Sequence, residues 1–202
     1  MDATISPCLR MGAFMEGGFC GKAWRGSRYH VGMDASPLLM RLLSAFHARK
    51  LEAVLIGNAA AALHGAPVTT VDFDFLFRDT ATNLLKLKQI AKDCNAMILR
   101  PFYPVSKLYR MVNDDLGLQA DFMPMIHGIR SFKGVRARAA ERSIGGLPIL
   151  LACLDDIIAS KQAAGRDRDL AVLPVLKQTL EQTLRASGGK GPAQKRKRRG
   201  PR

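Results

Sequence analysis

Two aspartates separated by one residue, Asp72 and Asp74, are the residues best suited to chemistry. They lie in residues 71–77, where polar and apolar residues alternate as in a β-strand. Because side chains of a strand alternate between its faces, both carboxylates are expected on one side. Neighbouring carboxylates repel each other, and a hard cation such as Mg²⁺ or Mn²⁺ relieves that repulsion. Two aspartates are also typical of an exposed strand edge that keeps a protein soluble, and the pair alone favours this second interpretation.

A third acidic residue, Asp121, lies within the apolar segment 120–123. Its flanks predict another strand, in which an isolated carboxylate would lose hydration at a cost. If the two strands are neighbours, the three carboxylates converge. Three carboxylates on a small sheet can hold two metal ions, which activate a nucleophile and stabilise a phosphate leaving group. The alternative is that Asp121 caps a turn at a strand end, which its apolar flanks disfavour.

A glycine lies upstream of the aspartates, between a predicted strand and a predicted helix start. Gly57 and Asn58 follow the apolar run 53–56 and precede an alanine-rich segment. Backbone N–H groups and the helix dipole at such a position attract phosphate. The motif alone indicates only a turn, but it lies 15 residues before Asp72.

The hydrophobic pattern predicts the elements that position these residues. Leucines at 38, 39, 42 and 43 together with Phe46 form one face of a helix over 36–50, with Ser36 as its cap and Pro37 as its first residue. Similar periodicity predicts helices over 80–95, 151–164 and 168–185, the last two separated by Gly165. Shorter runs predict a helix over 59–64 and strands over 53–56, 71–77, 97–99, 107–112 and 118–123.

This order of elements predicts an α/β (α+β) fold with a small mixed β-sheet, flanking helices and a C-terminal helical pair. We expect residues 34–150 to form the α/β domain and residues 151–187 to form helices that pack on it. Residues 1–33 are rich in glycine and lack periodicity, so we expect a flexible extension, with Met33 as the native start. Residues 188–202 are expected to be a disordered basic tail.

The net charge of +14 indicates an anionic partner, a basic tail or both. Residues 188–202 contribute +7 and residues 1–33 contribute +2, so the remaining body is only mildly basic. The tail is therefore expected either to bind RNA or to be a solvated terminus without function.

Other broad classes are not favoured by the composition. The four cysteines form no C-x-x-C pair, so neither a zinc site nor a disulfide framework is indicated, and a cytoplasmic location is expected. The uncharged run 53–71 contains Asn58, His64 and Pro67, which disfavour a membrane span, so no membrane partner is expected.

The sequence resembles the nucleotidyltransferases of the DNA polymerase β superfamily. The matching features, in order, are the strand ending at Gly57-Asn58, the Asp72-Phe73-Asp74 strand and the later acidic strand with Asp121. The resemblance is strongest to stand-alone bacterial members, including nucleotidyltransferase toxins of type IV toxin–antitoxin (abortive-infection) systems. It extends over residues 64–74, which run from His-Gly-x-Pro to Asp-x-Asp, and over residues 154–170 with their helical Lys161.

This resemblance implies a metal-dependent enzyme that transfers a nucleoside monophosphate from a nucleoside triphosphate (NTP) to a hydroxyl. The implied catalytic and metal-binding residues are Asp72, Asp74 and Asp121, with Mg²⁺ or Mn²⁺ as cofactor. The implied nucleotide-binding residues are Gly57, Asn58, Thr70, Lys161 and Arg166. The acceptor would be RNA, protein or a small molecule, and a cognate antitoxin protein is the further partner that the resemblance implies.

Two positions depart from the family pattern. Asn58 replaces the usual Gly or Ser, and Val68 replaces a common Arg that would bind phosphate with two hydrogen bonds. These departures favour an alternative function, a catalytically weak nucleotidyltransferase-like module that binds nucleic acid through its basic tail. Two residues also have simpler interpretations: Lys161 would interact with the helix dipole, and Arg166 would form a surface ion pair with Asp169.

Overall fold

A computed structural model describes residues 36–70, 72–100, 107–129 and 131–186. In this part of the chain, seven strands form one mixed sheet in the order β3-β4-β5-β2-β1-β7-β6. The strands are β1 (Ala53–Ile56), β2 (Phe73–Phe77), β3 (Met97–Leu99), β4 (Tyr109–Asn113), β5 (Leu118–Met123), β6 (Ala140–Ile144) and β7 (Leu147–Leu151). The fold is therefore mixed α/β, as the sequence predicts.

Six α-helices of the described residues accompany the sheet. They are α1 (Ser36–Arg49), α2 (Gly57–Leu63), α3 (Ala81–Asp93), α4 (Phe132–Arg138), α5 (Leu154–Ala164) and α6 (Asp167–Ala186). Residues 59–62 of α2 are four buried alanines, whose small side chains let this helix lie close to the sheet. Gly165 caps the C-terminus of helix α5. Its left-handed φ of 64° ends the helix and lets the chain turn toward α6.

The register of the central strands brings polar residues into one row. Strand β2 runs parallel to β5, with Asp74 beside Asp121. Strand β4 runs antiparallel to β5, with Arg110 beside Asp121. Because paired residues of neighbouring strands point to the same face, these three side chains share one face of the sheet.

The opposite face of the same strands forms an aromatic core. The Phe75 and Phe122 rings stack with centroids 5.2 Å apart, and the Phe46 ring from α1 packs edge-on at 5.0 Å from Phe75. These three rings are buried. Their packing fixes β2 against β5 and thereby fixes the relative positions of the aspartates on the other face.

Most predicted elements are present, with three corrections. Strand β2 begins at Phe73, so Asp72 precedes the strand, and Val71 lies outside the described residues. The helix predicted from residue 151 begins at Leu154, because Leu147–Leu151 is a strand. Helix α4 and strands β6 and β7 were not predicted from the sequence.

Several expectations concern residues that the structure does not describe. The predicted extension 1–33 and the basic tail 188–202 both lie outside the described residues. Among the described helices, none is long and apolar enough to cross a membrane.

Candidate active site

Three carboxylates form a cluster at the sheet face opposite the aromatic core. One oxygen each from Asp72, Asp74 and Asp121 lies within 4.8 Å of the others. Asp121 is buried, and the other two aspartates are half-buried. Three carboxylate oxygens at this spacing are the donor set that Mg²⁺ and Mn²⁺ prefer, so the residues fit a hard divalent cation.

The carboxyl group of Asp74 has a strongly raised pKa. Burial, followed by the negative charges of Asp72 and Asp121, raises its pKa from 3.8 to about 7. Lys161 and Arg166 act in the opposite direction because their positive charges lower the pKa. A cation bound at the cluster would favour the ionised carboxylates and so remove the main source of repulsion.

Gly57 allows the backbone to approach this cluster. Its φ is 66°, and a Cβ placed on it would clash with Asp74 Oδ2. A residue with a side chain would therefore be strained in its backbone and would displace the carboxylate. The predicted glycine thus lies directly against a predicted metal ligand.

Hydrogen bonds fix Asp72 and the segment that precedes it. The Thr70 hydroxyl is within donating distance of two Asp72 oxygens. Its Oγ1 lies 2.8 Å from the carbonyl oxygen and 3.1 Å from Oδ1. Asn58 Nδ2 donates to the Thr69 carbonyl at 3.1 Å, so the start of α2 is tied to the segment that precedes Asp72. Asn58 Oδ1 is buried and has no hydrogen-bond partner among the described residues.

Two cations of the predicted nucleotide site share one buried carboxylate. Lys161 Nζ donates to Asp169 Oδ1 at 2.9 Å, and Arg166 Nε donates to Asp169 Oδ2 at 2.6 Å. Burial raises the pKa of Asp169, but the two cations outweigh this effect, and the pKa lies below its ordinary value. The expected Arg166–Asp169 pair is therefore present, and Lys161 joins it from α5.

Two further residues of the site were not singled out from the sequence. Arg110 binds both carboxylate oxygens of Asp121, with Nε–Oδ1 at 2.8 Å and a terminal nitrogen–Oδ2 distance of 2.7 Å. Gln119 Nε2 donates a long hydrogen bond of 3.4 Å to Asp72 Oδ2. The turn-forming residues 113–117 carry the signal that could have found Arg110, because a hairpin about this turn places Arg110 opposite Asp121.

A single cavity of about 830 Å³ brings the predicted site residues together. Its lining includes all three aspartates and all five predicted nucleotide-binding residues: Gly57, Asn58, Thr70, Lys161 and Arg166. Lys107 and Arg168, both exposed, also line it and add positive charge. This volume is within the range of small-molecule sites in proteins.

Two residues of the stretch 64–74, the buried Val68 and the half-buried His64, do not line this cavity. Val68 is buried in the hydrophobic core, so no phosphate-binding side chain occupies that position. His64 Nε2 lies 2.9 Å from the Ala152 carbonyl oxygen and donates to it, and burial lowers the pKa of this histidine. A neutral His64 therefore ties α2 to the segment before α5.

Comparisons with solved structures identify the fold. The crystal structure of ANT(2'')-Ia in complex with adenylyl-2''-tobramycin is similar, with 16% sequence identity and a TM-score of 0.54, and the match covers 77% of this chain and 97% of that chain. The solution structure of the same antibiotic-resistance factor matches with 15% identity and a TM-score of 0.53, covering 75% of this chain and 89% of that one. The lincosamide antibiotic adenylyltransferase LnuA, bound to lincomycin, matches with 15% identity and a TM-score of 0.52, covering 70% and 95%.

The chain has the fold of nucleotidyltransferases. No family model and no curated protein matches its sequence. At identities near 15%, the structural likeness concerns the fold, and the function has to be argued from the site itself.

Proposed function

We propose that this protein is a metal-dependent nucleotidyltransferase that transfers a nucleoside monophosphate from an NTP to a hydroxyl group. The observation that carries the proposal is the carboxylate cluster of Asp72, Asp74 and Asp121, which lies in the same cavity as Lys161 and Arg166. Carboxylates that repel one another fit a divalent cation, and adjacent cationic side chains fit the phosphates of a nucleotide.

The proposed reaction is an in-line displacement at the α-phosphorus. The acceptor oxygen forms a bond to this phosphorus, and the bond from the phosphorus to the oxygen bridging the β-phosphate breaks. Pyrophosphate leaves with the electron pair of that bond, and the hydroxyl proton passes to a carboxylate of the cluster. Mg²⁺ or Mn²⁺ held by the cluster would polarise the hydroxyl and neutralise charge on the leaving group.

The remaining predicted residues have binding roles in this proposal. Lys161 and Arg166 bind phosphate oxygens, and Asp169 keeps both side chains oriented toward the cavity. Gly57 and Asn58 lie at the start of α2, where backbone N–H groups favour phosphate, and Thr70 orients Asp72.

We propose RNA as the preferred acceptor among RNA, protein and small molecules. Exposed Lys107 and Arg168 line the cavity, and the whole chain carries a net charge of +14. Positive charge attracts a polyanion such as RNA. Together with the motif resemblance over residues 64–74, this acceptor agrees with a toxin that acts with a cognate antitoxin protein.

A catalytically weak binding module is the second candidate. It is favoured by the buried Val68, which leaves that position without the arginine of the family pattern. The two candidates differ in their need for metal, because a module that binds nucleic acid through basic residues has no use for the carboxylate cluster.

Thermal shift with nucleotides separates the two candidates. We expect each effective NTP to raise the melting temperature of the wild-type protein only when Mg²⁺ is present, because the cluster and the nucleotide bind the cation together. Asp74→Asn should lose this Mg²⁺-dependent increase, whereas Asp115→Asn, which changes an exposed aspartate outside the cavity, should retain it. An NTP shift that is equal with and without Mg²⁺ would favour the binding module.

A further inference from the structure

Asp121 is held differently from the other two carboxylates of the cluster. Arg110 lies opposite it on the neighbouring strand and occupies both of its oxygens at 2.8 and 2.7 Å. The Asp121 side chain is 7% exposed, and that of Arg110 is 33% exposed. Planar, two-point pairing of this kind is the strongest form of ion pair between side chains.

The pairing changes the charge that a cation meets. With all three aspartates ionised, as a bound cation favours, the cluster alone carries −3, and the guanidinium reduces this sum to −2, the charge that one divalent cation balances. A dication in contact with Asp121 would also lie close to the positive guanidinium, and this repulsion is strong in a partly desolvated site. Asp72 and Asp74 have no such arginine partner among the hydrogen bonds of the described residues.

We propose that Arg110 is a positioning residue that pairs with Asp121 and leaves Asp72 and Asp74 as the cation ligands of the nucleotide-free protein. This inference rests on the proposed function, because it assigns roles within the same metal site. In it, Asp121 is neutralised by Arg110 in the nucleotide-free protein. The first cation is therefore bound by two carboxylates of the three.

Titration of nucleotide-free protein with Mn²⁺, followed by the loss of the free Mn²⁺ electron paramagnetic resonance signal, tests this assignment. Asp72→Asn and Asp74→Asn should each weaken Mn²⁺ binding by roughly tenfold or more, because each removes a ligand charge. Arg110→Gln should strengthen it by roughly tenfold, because Asp121 then becomes available to the cation.

The decisive variant is the charge-neutral double change Arg110→Gln with Asp121→Asn. It removes one positive and one negative group together, so Mn²⁺ affinity should stay within about threefold of wild type. The matched control is Arg49→Gln with Asp93→Asn, which removes a pair of the same two-point geometry outside the cavity. This control should leave Mn²⁺ affinity unchanged.

Two results would overturn the inference. One is a double variant that loses as much Mn²⁺ affinity as Asp72→Asn, which would make Asp121 a direct ligand in the nucleotide-free protein. The other is a weaker Mn²⁺ affinity in Arg110→Gln.

Failure of the proposed function looks different, because wild-type Mn²⁺ binding would then be absent or insensitive to Asp72→Asn and Asp74→Asn. Melting curves of every variant verify that the chain is folded, and a merely structural role for Arg110 would lower the melting temperature without raising Mn²⁺ affinity.

Discussion

At the scale of single residues, the ionised carboxylate of Asp74 destabilises the folded state when no cation is bound. Its pKa is about 7 in the folded chain against an ordinary 3.8. Between pH 4 and pH 7 the unfolded chain has released this proton while the folded chain still holds it. The folded state therefore loses stability as the pH rises through this window, and the loss is complete above the folded pKa.

Replacing Asp74 by Asn should remove this pH-dependent penalty. In EDTA, we expect Asp74→Asn to raise the melting temperature by roughly 5 °C more at pH 8 than at pH 5, while nucleotidyl transfer is lost. Thermal denaturation at the two pH values measures the difference. Asp115→Asn, an exposed control, should show no such dependence, and equal shifts for Asp74→Asn at both pH values would refute the assigned burial and repulsion.

Comparing alanine variants at Gly57 and Gly146 separates the effect of backbone strain from the effect of contact with the carboxylate cluster. Gly57→Ala and Gly146→Ala both place a side chain at positive φ, 66° and 81°, and each should cost about 1 kcal/mol in folding free energy. A Cβ at Gly57 would contact Asp74 Oδ2, whereas a Cβ at Gly146 meets nothing within 4 Å. Only Gly57→Ala should therefore lose stabilisation by Mg²⁺, measured as the melting-temperature increase on adding the ion. Similar Mg²⁺ responses in the two variants would contradict the contact.

At the scale of elements, the link between α5 and α6 depends on Asp169. This carboxylate is 6% exposed and pairs with Lys161, which is 12% exposed, across the two helices. Asp169→Asn would leave a poorly hydrated ammonium group without its counter-charge, so we expect a loss of about 2 kcal/mol in unfolding free energy. It should also weaken nucleotide binding, because Lys161 is no longer held toward the cavity.

Urea denaturation of Asp169→Asn is best compared with that of Glu181→Gln. Glu181 lies on the same helix and pairs with Arg185 at 3.8 Å, but both side chains are largely exposed. Such a pair contributes little, so the control should change stability by less than about 0.5 kcal/mol. If the two variants were equally stable, the Lys161–Asp169 ion pair between α5 and α6 would contribute nothing to the free energy of unfolding.

The elements that could be predicted are those with a clear hydrophobic period or a short apolar run. Helix α1 and strands β1, β3 and β5 were predicted within one residue of their observed bounds. Residues 147–151 were not, because an uninterrupted apolar run fits a helix start as well as a strand. Helix α4 is only seven residues long and contains Gly134, and the edge strand β6 is mostly exposed, so neither shows a period.

The residues of the candidate site also divide into those that the sequence could predict and those that it could not. Residue type and spacing suffice to select the three aspartates and Gly57, and the family resemblance adds Lys161. The structure brings all five residues into one cavity, while their roles stay predictions. Residue type and spacing alone do not select the Arg110–Asp121 pair, because it depends on the register between two strands, which the turn over residues 113–117 sets. The burial of Val68 likewise depends on packing, although the sequence shows that the family arginine is missing.

At the scale of the whole molecule, the distribution of charge leads to a prediction for RNA binding. Residues 188–202 carry seven basic residues and no acidic ones, half of the net charge of +14. If RNA is the acceptor, deletion of these residues should weaken RNA binding at low salt and flatten the dependence of log K on log salt, because each phosphate contact releases counterions. Transfer to saturating acceptor should not change. Equal salt slopes for the full and shortened chains would show that the tail contacts no phosphate, and would favour a protein or small-molecule acceptor.

We propose that the carboxylate cluster catalyses metal-dependent nucleotidyl transfer. The most direct measurement is incubation of the purified protein with each α-labelled NTP, Mg²⁺ and either total RNA or cell lysate, followed by gel electrophoresis. Wild-type protein should give a labelled band, and no band should form with EDTA or with Asp74→Asn. Absence of label with all four NTPs, or equal labelling by Asp74→Asn, would contradict this proposal.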